Sequence, residues 1–235
     1  MKIETASYTD IGGRKKNEDA AYCGITENGT IGILCDGLGG HVNGDVASRL
    51  AIQTVLENLK KGGLDKEQLA AVIVMANARI YNLSHGSGMS STIAVIWTDG
   101  HRALMANVGD TRIYQFHDGT IAYQSADHSV AYVSVLTGDI TVGELRTAPN
   151  RNMLTKALGV DEEIRVSVQE LPVEDGDAFL LCTDGFWEYV WERDMRMTLA
   201  ESDSPGQWLD RMKPIREKNA PAKCDNHSAI SLFIK

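Results

Sequence analysis

The chain of 235 residues lacks long apolar runs and has few cysteines. No apolar stretch approaches the roughly 20 residues that a membrane-spanning helix needs, and the first residues, MKIET, contain no apolar signal core. The four cysteines, Cys23, Cys35, Cys182 and Cys224, lie far apart, which argues against a disulfide framework or a zinc site. These absences predict a cytoplasmic protein in a reducing compartment.

Positive charge is also scarce. The 23 Lys and Arg residues are outnumbered by 32 Asp and Glu residues, which gives a formal net charge of -9. This balance argues against nucleic acid and against a membrane as partners, because both recruit proteins through clustered cations. The length suits a single domain. We therefore expect residues 1–235 to form one domain, and we expect a monomer because no separate dimerisation segment is visible.

The most informative stretch is ILCDGLGGH, residues 33–41. An apolar run over residues 31–35 predicts a buried strand that ends abruptly on Asp36. The glycines that follow allow a loop to approach a ligand closely. A second apolar strand, predicted at residues 178–182, ends in the same way with Asp184-Gly185. A carboxylate in such a place is usually paired, hydrogen-bonded or bound to a metal.

Periodicity along the rest of the chain predicts antiparallel strands and amphipathic helices. One helix is predicted from Val46 to a stop at Gly62-Gly63, and Asp65 caps a second one whose apolar stripe extends to Leu83. Final helices are predicted at residues 195–199 and 208–215. The predicted strands are residues 2–8, 20–25, 30–35, 92–97, 102–108, 112–117, 120–124, 164–168, 178–182 and 229–234.

The turn pairs Asp99-Gly100, Gly109-Asp110 and Asp118-Gly119 separate four of these strands, which predicts one continuous meander. The polar segment 126–159 breaks this pattern and predicts a small subdomain of short helices and loops.

Acidic residues at strand boundaries form the candidate site. Asp36, Asp184 and Asp225 lie at such boundaries, Asp110 lies in a turn, and Glu18 precedes a strand together with Asp19. Oxygen-only ligands suit hard cations such as Mg²⁺ or Mn²⁺ better than zinc. The alternative is that each Asp merely caps a turn, but that explains less well two carboxylates attached to wholly apolar strands.

Motifs in a fixed order add a resemblance to a known family. They are RKKNED (14–19), DGLGG (36–40), ANVGDTR (106–112), DHS (127–129), NMLTKALG (152–159), LLCTDG (180–185) and DN (225–226). Together they resemble the metal-dependent protein phosphatases of the PPM, or protein phosphatase 2C, type. Any one motif is weak, but their order over nearly the whole chain is specific.

The resemblance implies an α+β fold, a four-layer α-β-β-α sandwich of two antiparallel sheets flanked by helix pairs. It implies two Mn²⁺ or Mg²⁺ ions bridged by Asp36. The Gly37 carbonyl would bind one ion and Asp184 with Asp225 the other, while Glu18 would act through water. Asp110, with Asp184, would hold a third ion. Arg14 would bind the substrate phosphate, and segment 126–159 would be a flap beside the site.

The resemblance also implies an activity. A hydroxide bridging the two ions would attack the phosphorus of phosphoserine or phosphothreonine directly. The substrate would be a phosphorylated protein, in bacterial relatives commonly the product of a cognate serine/threonine kinase. Leu38 stands where eukaryotic relatives carry a histidine thought to act as general acid, so the leaving-group proton is not expected from there. Thr111, Lys156 and Thr183 replace Ser, Arg and Ser without removing a ligand.

Two other functions stay open. One is a regulatory domain of the same fold that binds phosphoproteins without turnover, although the intact carboxylates argue against it. The other is an unrelated acidic hydrolase that cleaves phosphodiesters. His41 and His227 lie near the motifs but have no metal-ligand spacing, and we interpret them as structural or surface residues.

Overall fold

The computed structural model describes residues 1–38, 43–59, 64–84, 86 and 88–235. The strands are β1 (Ile3–Asp10), β2 (Ala20–Thr26), β3 (Gly29–Cys35), β4 (Gly37–Leu38), β5 (Ser90–Ser91), β6 (Ile93–Thr98), β7 (Arg102–Val108), β8 (Arg112–His117), β9 (Thr120–Gln124), β10 (Gln169–Pro172), β11 (Ala178–Cys182) and β12 (His227–Ile234). The helices are α1 (Gly44–Asn58), α2 (Lys66–Ser84), α3 (Val130–Thr137), α4 (Asp184–Trp187), α5 (Glu192–Ala200) and α6 (Pro205–Asn219), with a 3₁₀ turn at Leu145–Thr147.

Two five-stranded sheets form the centre of the molecule. The first has the strand order β1-β12-β11-β8-β9 and the second β10-β7-β6-β3-β2, and every pairing is antiparallel. Three layers of apolar side chains separate the sheets and helices. Alternation along each strand produces these layers, because successive side chains point to opposite faces.

The two apolar strands show why the layers form. In β3, Ile33 packs with α1 and α2, whereas Leu34 packs between the sheets. In β11, Leu180 packs toward Trp187 and Trp208 on the outer helices, whereas Leu181 packs between the sheets. Each strand is buried on both faces, which is why its sequence is continuously apolar. The predicted α-β-β-α sandwich is confirmed.

Several predicted elements are confirmed in detail. Strands β7, β8, β9 and β11 have the predicted bounds. The cap of α2 forms as expected, because the Gln68 amide donates to Asp65 Oδ1 at 2.7 Å and the Asp65 amide donates to Gln68 Oε1 at 3.3 Å. The C-terminal helices and β12 are longer than predicted by two to seven residues. None of the helices in the described ranges is long and apolar enough to cross a bilayer.

The predicted continuous meander is wrong. Strands β6 and β7 pair in the second sheet, but β8 and β9 pair in the first. The Gly109-Asp110 turn therefore carries the chain from one sheet to the other. A turn signal between two apolar strands does not reveal which sheet the second strand joins, because pairing partners are chosen by non-local packing.

Two smaller predictions are also wrong. The residues Ile164, Val166 and Val168 alternate but form no strand; they pack against the core beneath α1 and α2. The strand of that region is β10, immediately after them. Leu83 is 53% exposed and lies outside the buried stripe of α2. The predicted helix stop at Gly62-Gly63 lies outside the described residues; α1 ends at Asn58.

Candidate active site

Asp36 is fixed at the end of β3 by its own backbone. Its amide donates to Thr92 Oγ1 at 2.9 Å, and its carbonyl accepts from the Thr92 amide at 2.8 Å and from Ser91 Oγ at 2.9 Å. These bonds attach Asp36 to β5 and to the start of β6. The side chain therefore leaves the rigid end of an interior strand of the second sheet, between β6 and β2.

Gly37 brings the segment that carries Glu18 against this strand end. The Gly37 amide donates to the Glu18 carbonyl at 3.1 Å. A Cβ atom on Gly37 would lie 2.3 Å from the Gly44 carbonyl oxygen and 2.7 Å from that of Glu18. No side chain fits between these backbones, so the glycine is required for Glu18 and Asp36 to be neighbours.

Asp184 and Asp225 come from the first sheet. Asp184 follows β11 and begins α4, and Asp225 lies two residues before β12. The Thr183 amide donates to the Ser228 carbonyl at 3.1 Å, which continues the ladder between these strands. A Cβ on Gly185 would lie 2.1 Å from the Asn226 carbonyl oxygen, so this glycine allows the two aspartate segments to touch.

The electrostatics show that the two sheets bring their carboxylates together. Burial raises the pKa of Asp36, and the charges that add most to the rise are those of Asp19, Asp184, Asp110 and Asp225. Burial raises the pKa of Asp184 to about 7, and the charge of Asp225 adds to this rise. Hydrogen bonds with the Gly185 amide and with Asp36 act in the opposite direction and lower the pKa of Asp184. Carboxylates that raise one another's pKa in this way favour a bound cation.

Asp110 lies in the turn that crosses between the sheets. It is 5% exposed, and its pKa is raised by burial and then by the charge of Asp184. The neighbouring Thr111 hydroxyl lies 2.6 Å from that of Thr92, the residue that also holds the Asp36 backbone. Asp110 is thus connected to both central aspartates.

Arg14 and Glu18 occupy the loop between β1 and β2. Asn226 holds that loop, accepting from the Glu18 amide at 2.9 Å and donating to the Ile11 and Lys16 carbonyls. Arg14 Nη2 lies 2.5 Å from Asp225 Oδ2, and its side chain is 57% exposed. Arg14 is therefore a cation at the open side of the acidic cluster.

The residues present fit a pair of divalent ions. Among the described residues, no three His, Cys, Asp or Glu side chains stand close enough to form a complete cage for one ion. Mg²⁺ does not require such a cage, because it keeps several waters and takes one or two carboxylates together with substrate phosphate. One oxygen of the buried Asp19, Oδ1, has no hydrogen-bond partner. An acidic, under-satisfied cluster of oxygen ligands suits hard cations.

Two acidic residues near the cluster were not assigned a role from the sequence. Asp19 accepts from Ser228 Oγ at 2.7 Å and from Thr183 Oγ1 at 3.1 Å, and burial raises its pKa to about 7. The sequence feature that could have identified Asp19 was its place in the RKKNED motif. Glu188 pairs with Arg151 at 2.6 Å and contributes to the raised pKa of Asp184. No local pattern marked Glu188.

The histidines near the motifs have different outcomes. His227 is buried, and its Nδ1 lies 3.2 Å from the Tyr8 hydroxyl, a structural contact as predicted. His41 lies outside the described residues, as do Gly39 and Gly40 of the DGLGG motif. All four cysteines are free.

Comparison with known proteins gives one consistent result. A sequence model described as protein phosphatase 2C matches residues 10–222. The chain is 31% identical over 210 residues to the serine/threonine phosphatase stp of Listeria welshimeri, covering 84% of this chain and 82% of that protein. Its fold superposes on the serine/threonine phosphatase Stp1 of Staphylococcus aureus with a TM-score of 0.90 at 29% identity, covering 100% and 96% of the two chains.

A further solved structure is informative about ligands. The catalytic domain of the serine/threonine protein phosphatase PstP, in complex with two manganese ions, has a TM-score of 0.85 and 25% identity. The alignment covers 98% of this chain and 97% of that chain.

Proposed function

The chain belongs to the protein phosphatase 2C family and is a serine/threonine protein phosphatase. From that premise we propose that it hydrolyses phosphoserine and phosphothreonine by direct attack of water, with no phosphoenzyme, at two Mn²⁺ or Mg²⁺ ions. The observation that carries this proposal is that Asp36, Asp184 and Asp225 converge from two sheets. Burial and repulsion between the carboxylates raise the pKa values of Asp36 and Asp184. The two manganese ions of the related PstP structure support the choice of cofactor.

Asp36 and Asp184 would be the central ligands of the ions. Asp36 directly follows the interior strand β3 and Asp184 follows the interior strand β11, so both would be held with little freedom to move when substrate arrives. Asp225 and the Gly37 carbonyl complete the ligands in this proposal, and Glu18 acts through water. When bound, such ions lower the pKa of water and stabilise the entering and leaving oxygens of an in-line displacement.

Arg14 would bind the phosphate of the substrate. Its guanidinium has the fork geometry that matches two phosphate oxygens. The Asp225 carboxylate holds Arg14 at the edge of the cluster and raises its pKa. Leu38 is apolar and pairs with Ser90 across β4 and β5, so no proton donor for the leaving group is present at that position.

The remaining features of the proposal concern the substrate. We expect a phosphorylated protein, in the cell the product of a cognate serine/threonine kinase, bound beside a flap formed by residues 126–159. Asp110 with Asp184 would provide a third, weaker ion site. It stays a prediction from the sequence that the protein is a single domain and acts as a monomer in the cytoplasm.

One assay separates this function from its alternatives. Purified protein should release phosphate from a phosphothreonine peptide and from an aryl phosphate, lose this activity in EDTA and regain it with Mn²⁺. Binding of the peptide without turnover would instead indicate a regulatory domain. Faster cleavage of an aryl phosphodiester than of the monoester would indicate a different class of hydrolase.

A further inference from the structure

Trp187 contacts the turn that carries Asp110. Its indole Nε1 donates a hydrogen bond to the Asp110 carbonyl at 3.0 Å, and the residue is 1% exposed. A buried indole N–H without a partner is costly, so this bond fixes the distance between α4 and the turn. The carboxylate of Asp110 belongs to the same residue and moves with that backbone.

Two arginines lie over the Trp187 ring. The guanidinium carbon of Arg112 is 3.5 Å from the ring centroid and that of Arg146 is 5.4 Å away. Arg112 is itself locked by a buried two-point pair with Asp127, at 2.8 and 2.7 Å. Arg112 extends from β8, whereas both its partner Asp127 and Arg146 come from the segment 126–159.

Arg146 attaches that segment to the core through Glu192. Its Nη2 donates to Glu192 Oε1 at 2.7 Å, and the same oxygen accepts from the Tyr114 hydroxyl at 3.0 Å. Arg146 Nη1 is buried without a hydrogen-bond partner. An incompletely satisfied buried arginine costs free energy, so the docking of segment 126–159 through Arg146 is a balance of opposing contributions.

The same segment holds the Asp110 turn from a second side. The His128 amide donates to the Gly109 carbonyl at 2.9 Å, and the Gly109 amide donates to His128 Nδ1 at 3.2 Å. Gly109 has a φ of +98°, a conformation that glycine adopts readily. The position of the turn thus depends on two contacts of the segment. One is the pair of hydrogen bonds between His128 and Gly109, and the other is the contact of Arg146 with Trp187.

We propose that Trp187 is a positioning residue for Asp110, and that Arg146, which lies over the same ring, helps to hold Trp187 in place. The proposal rests on the proposed function, because it assigns Asp110 a metal ion.

Metal binding provides the first test. Mn²⁺ binding to the full chain is measured by equilibrium dialysis and calorimetry for wild type, Asp110→Asn, Trp187→Phe and the double variant. Trp187→Phe keeps a ring but removes the indole N–H, and should weaken the Asp110 ion by about 10-fold or more, as loss of an outer partner of a metal ligand does. The double variant should bind no more weakly than Asp110→Asn, because both changes act on one ion.

Trp208→Phe is the matched control. Trp208 is also buried, and its indole donates to the Met195 carbonyl at 2.9 Å. This substitution should lower the melting temperature without changing Mn²⁺ binding. Arg146→Met should weaken binding of the same ion, as Trp187→Phe does, which tests the contribution of Arg146 separately.

The four tryptophans allow a direct measurement that does not use variants of Trp187. In ¹⁵N-tryptophan-labelled protein, Mg²⁺ should shift the Trp187 indole signal and leave that of Trp208 in place. Asp110→Asn should abolish the shift. Equal Mn²⁺ binding by wild type and Trp187→Phe, additive losses in the double variant, or an unmoved Trp187 signal would overturn the proposal. Loss of Mn²⁺-dependent turnover in the wild type would instead overturn the proposed function.

Discussion

The burial of Asp36 among other carboxylates is unfavourable for the stability of the fold, and the same residue is central to the proposed metal site. Residues 31–35 of the strand before it are apolar, and the charges acting most strongly on its side chain are those of four other carboxylates. A buried carboxylate surrounded by like charge destabilises the fold unless it is neutralised. In the proposed site, the free energy of metal binding would offset the unfavourable arrangement of charges that folding creates.

This arrangement predicts that the metal-free protein gains stability when Asp36 loses its charge. In EDTA, Asp36→Asn should melt at a higher temperature than wild type, by about 2–4 °C for each kcal/mol of repulsion relieved. With saturating Mn²⁺ the order should reverse, because only the wild type gains binding free energy. Differential scanning calorimetry of both proteins tests this, and a lower melting temperature for the variant in EDTA would contradict it.

Arg14 should act on substrate binding rather than on folding. Removing a charged hydrogen-bond donor to phosphate costs about 1.5–3 kcal/mol, so Arg14→Ala should lower kcat/KM for a phosphothreonine peptide by about 10- to 100-fold. Lys15→Ala is the matched control, since Lys15 is an exposed cation in the same loop. Equal kinetics for the two variants would remove Arg14 from the proposed site.

At the scale of elements, sequence patterns correctly predict the features that depend on residues close together in the chain. The cap of α2, the bounds of β7, β8 and β9, and the strand endings at Asp36 and Asp184 all follow from neighbouring residues. The passage of the chain from one sheet to the other at Gly109-Asp110 cannot be predicted in this way, because its sequence resembles that of the true hairpin turn at Asp118-Gly119. Which sheet a strand joins depends on packing partners far away in sequence.

A single buried asparagine of α2 supplies hydrogen bonds to residues 159–162, at the end of segment 126–159 and just beyond it. Asn77 is 0% exposed; its amide group donates to the Asp161 and Glu162 carbonyls and accepts from the Gly159 amide at 2.8 Å. No periodicity predicts such a residue, because an asparagine on the buried stripe of a helix violates the apolar pattern.

Asn77→Ala should destabilise the protein by about 3 kcal/mol, because three backbone groups lose their partner in a buried place. Urea unfolding followed by circular dichroism measures the change. Asn82→Ala, at an exposed position of the same helix, should stay within about 0.5 kcal/mol of wild type. Equal stability of the two variants would show that Asn77 does not hold this segment.

At the scale of the whole molecule, the sandwich has two different ends. The carboxylates of the candidate site lie where β3 and β11 end, and at the opposite end the two sheets are joined through Gln115. Gln115 of β8 donates to Asp177 Oδ2 at 2.9 Å and to the Pro172 carbonyl at 3.0 Å, which connects the two sheets. The sequence alone did not predict this connection, because each partner comes from a different part of the chain.

His117 makes that end sensitive to pH. Its Nδ1 lies 2.8 Å from Asp177 Oδ1, and this hydrogen bond, with the charges of Asp118, Asp177 and Glu174, raises the pKa of His117. A raised pKa in the folded state means that protonated His117 stabilises the fold. This contribution is complete below the ordinary histidine pKa of about 6.5 and is lost as pH rises through the folded value.

The unfolding free energy should therefore fall more steeply with rising pH in wild type than in His117→Gln over this range. Urea titrations at several pH values in EDTA, with the pKa of His117 followed by NMR, provide the comparison. The effect should be small because His117 is 40% exposed. A wild-type slope no steeper than that of His117→Gln would contradict it.

The central claim is that carboxylates from the two sheets together bind the ions that perform phosphate hydrolysis. It is tested most directly by measuring bound Mn²⁺ and phosphate release from a phosphothreonine peptide in the same samples of wild type, Asp36→Asn and Asp184→Asn. We predict at least two Mn²⁺ ions and metal-dependent turnover for wild type, with weakened Mn²⁺ binding and near-abolished turnover in both folded variants. Undiminished turnover in either variant would contradict the account.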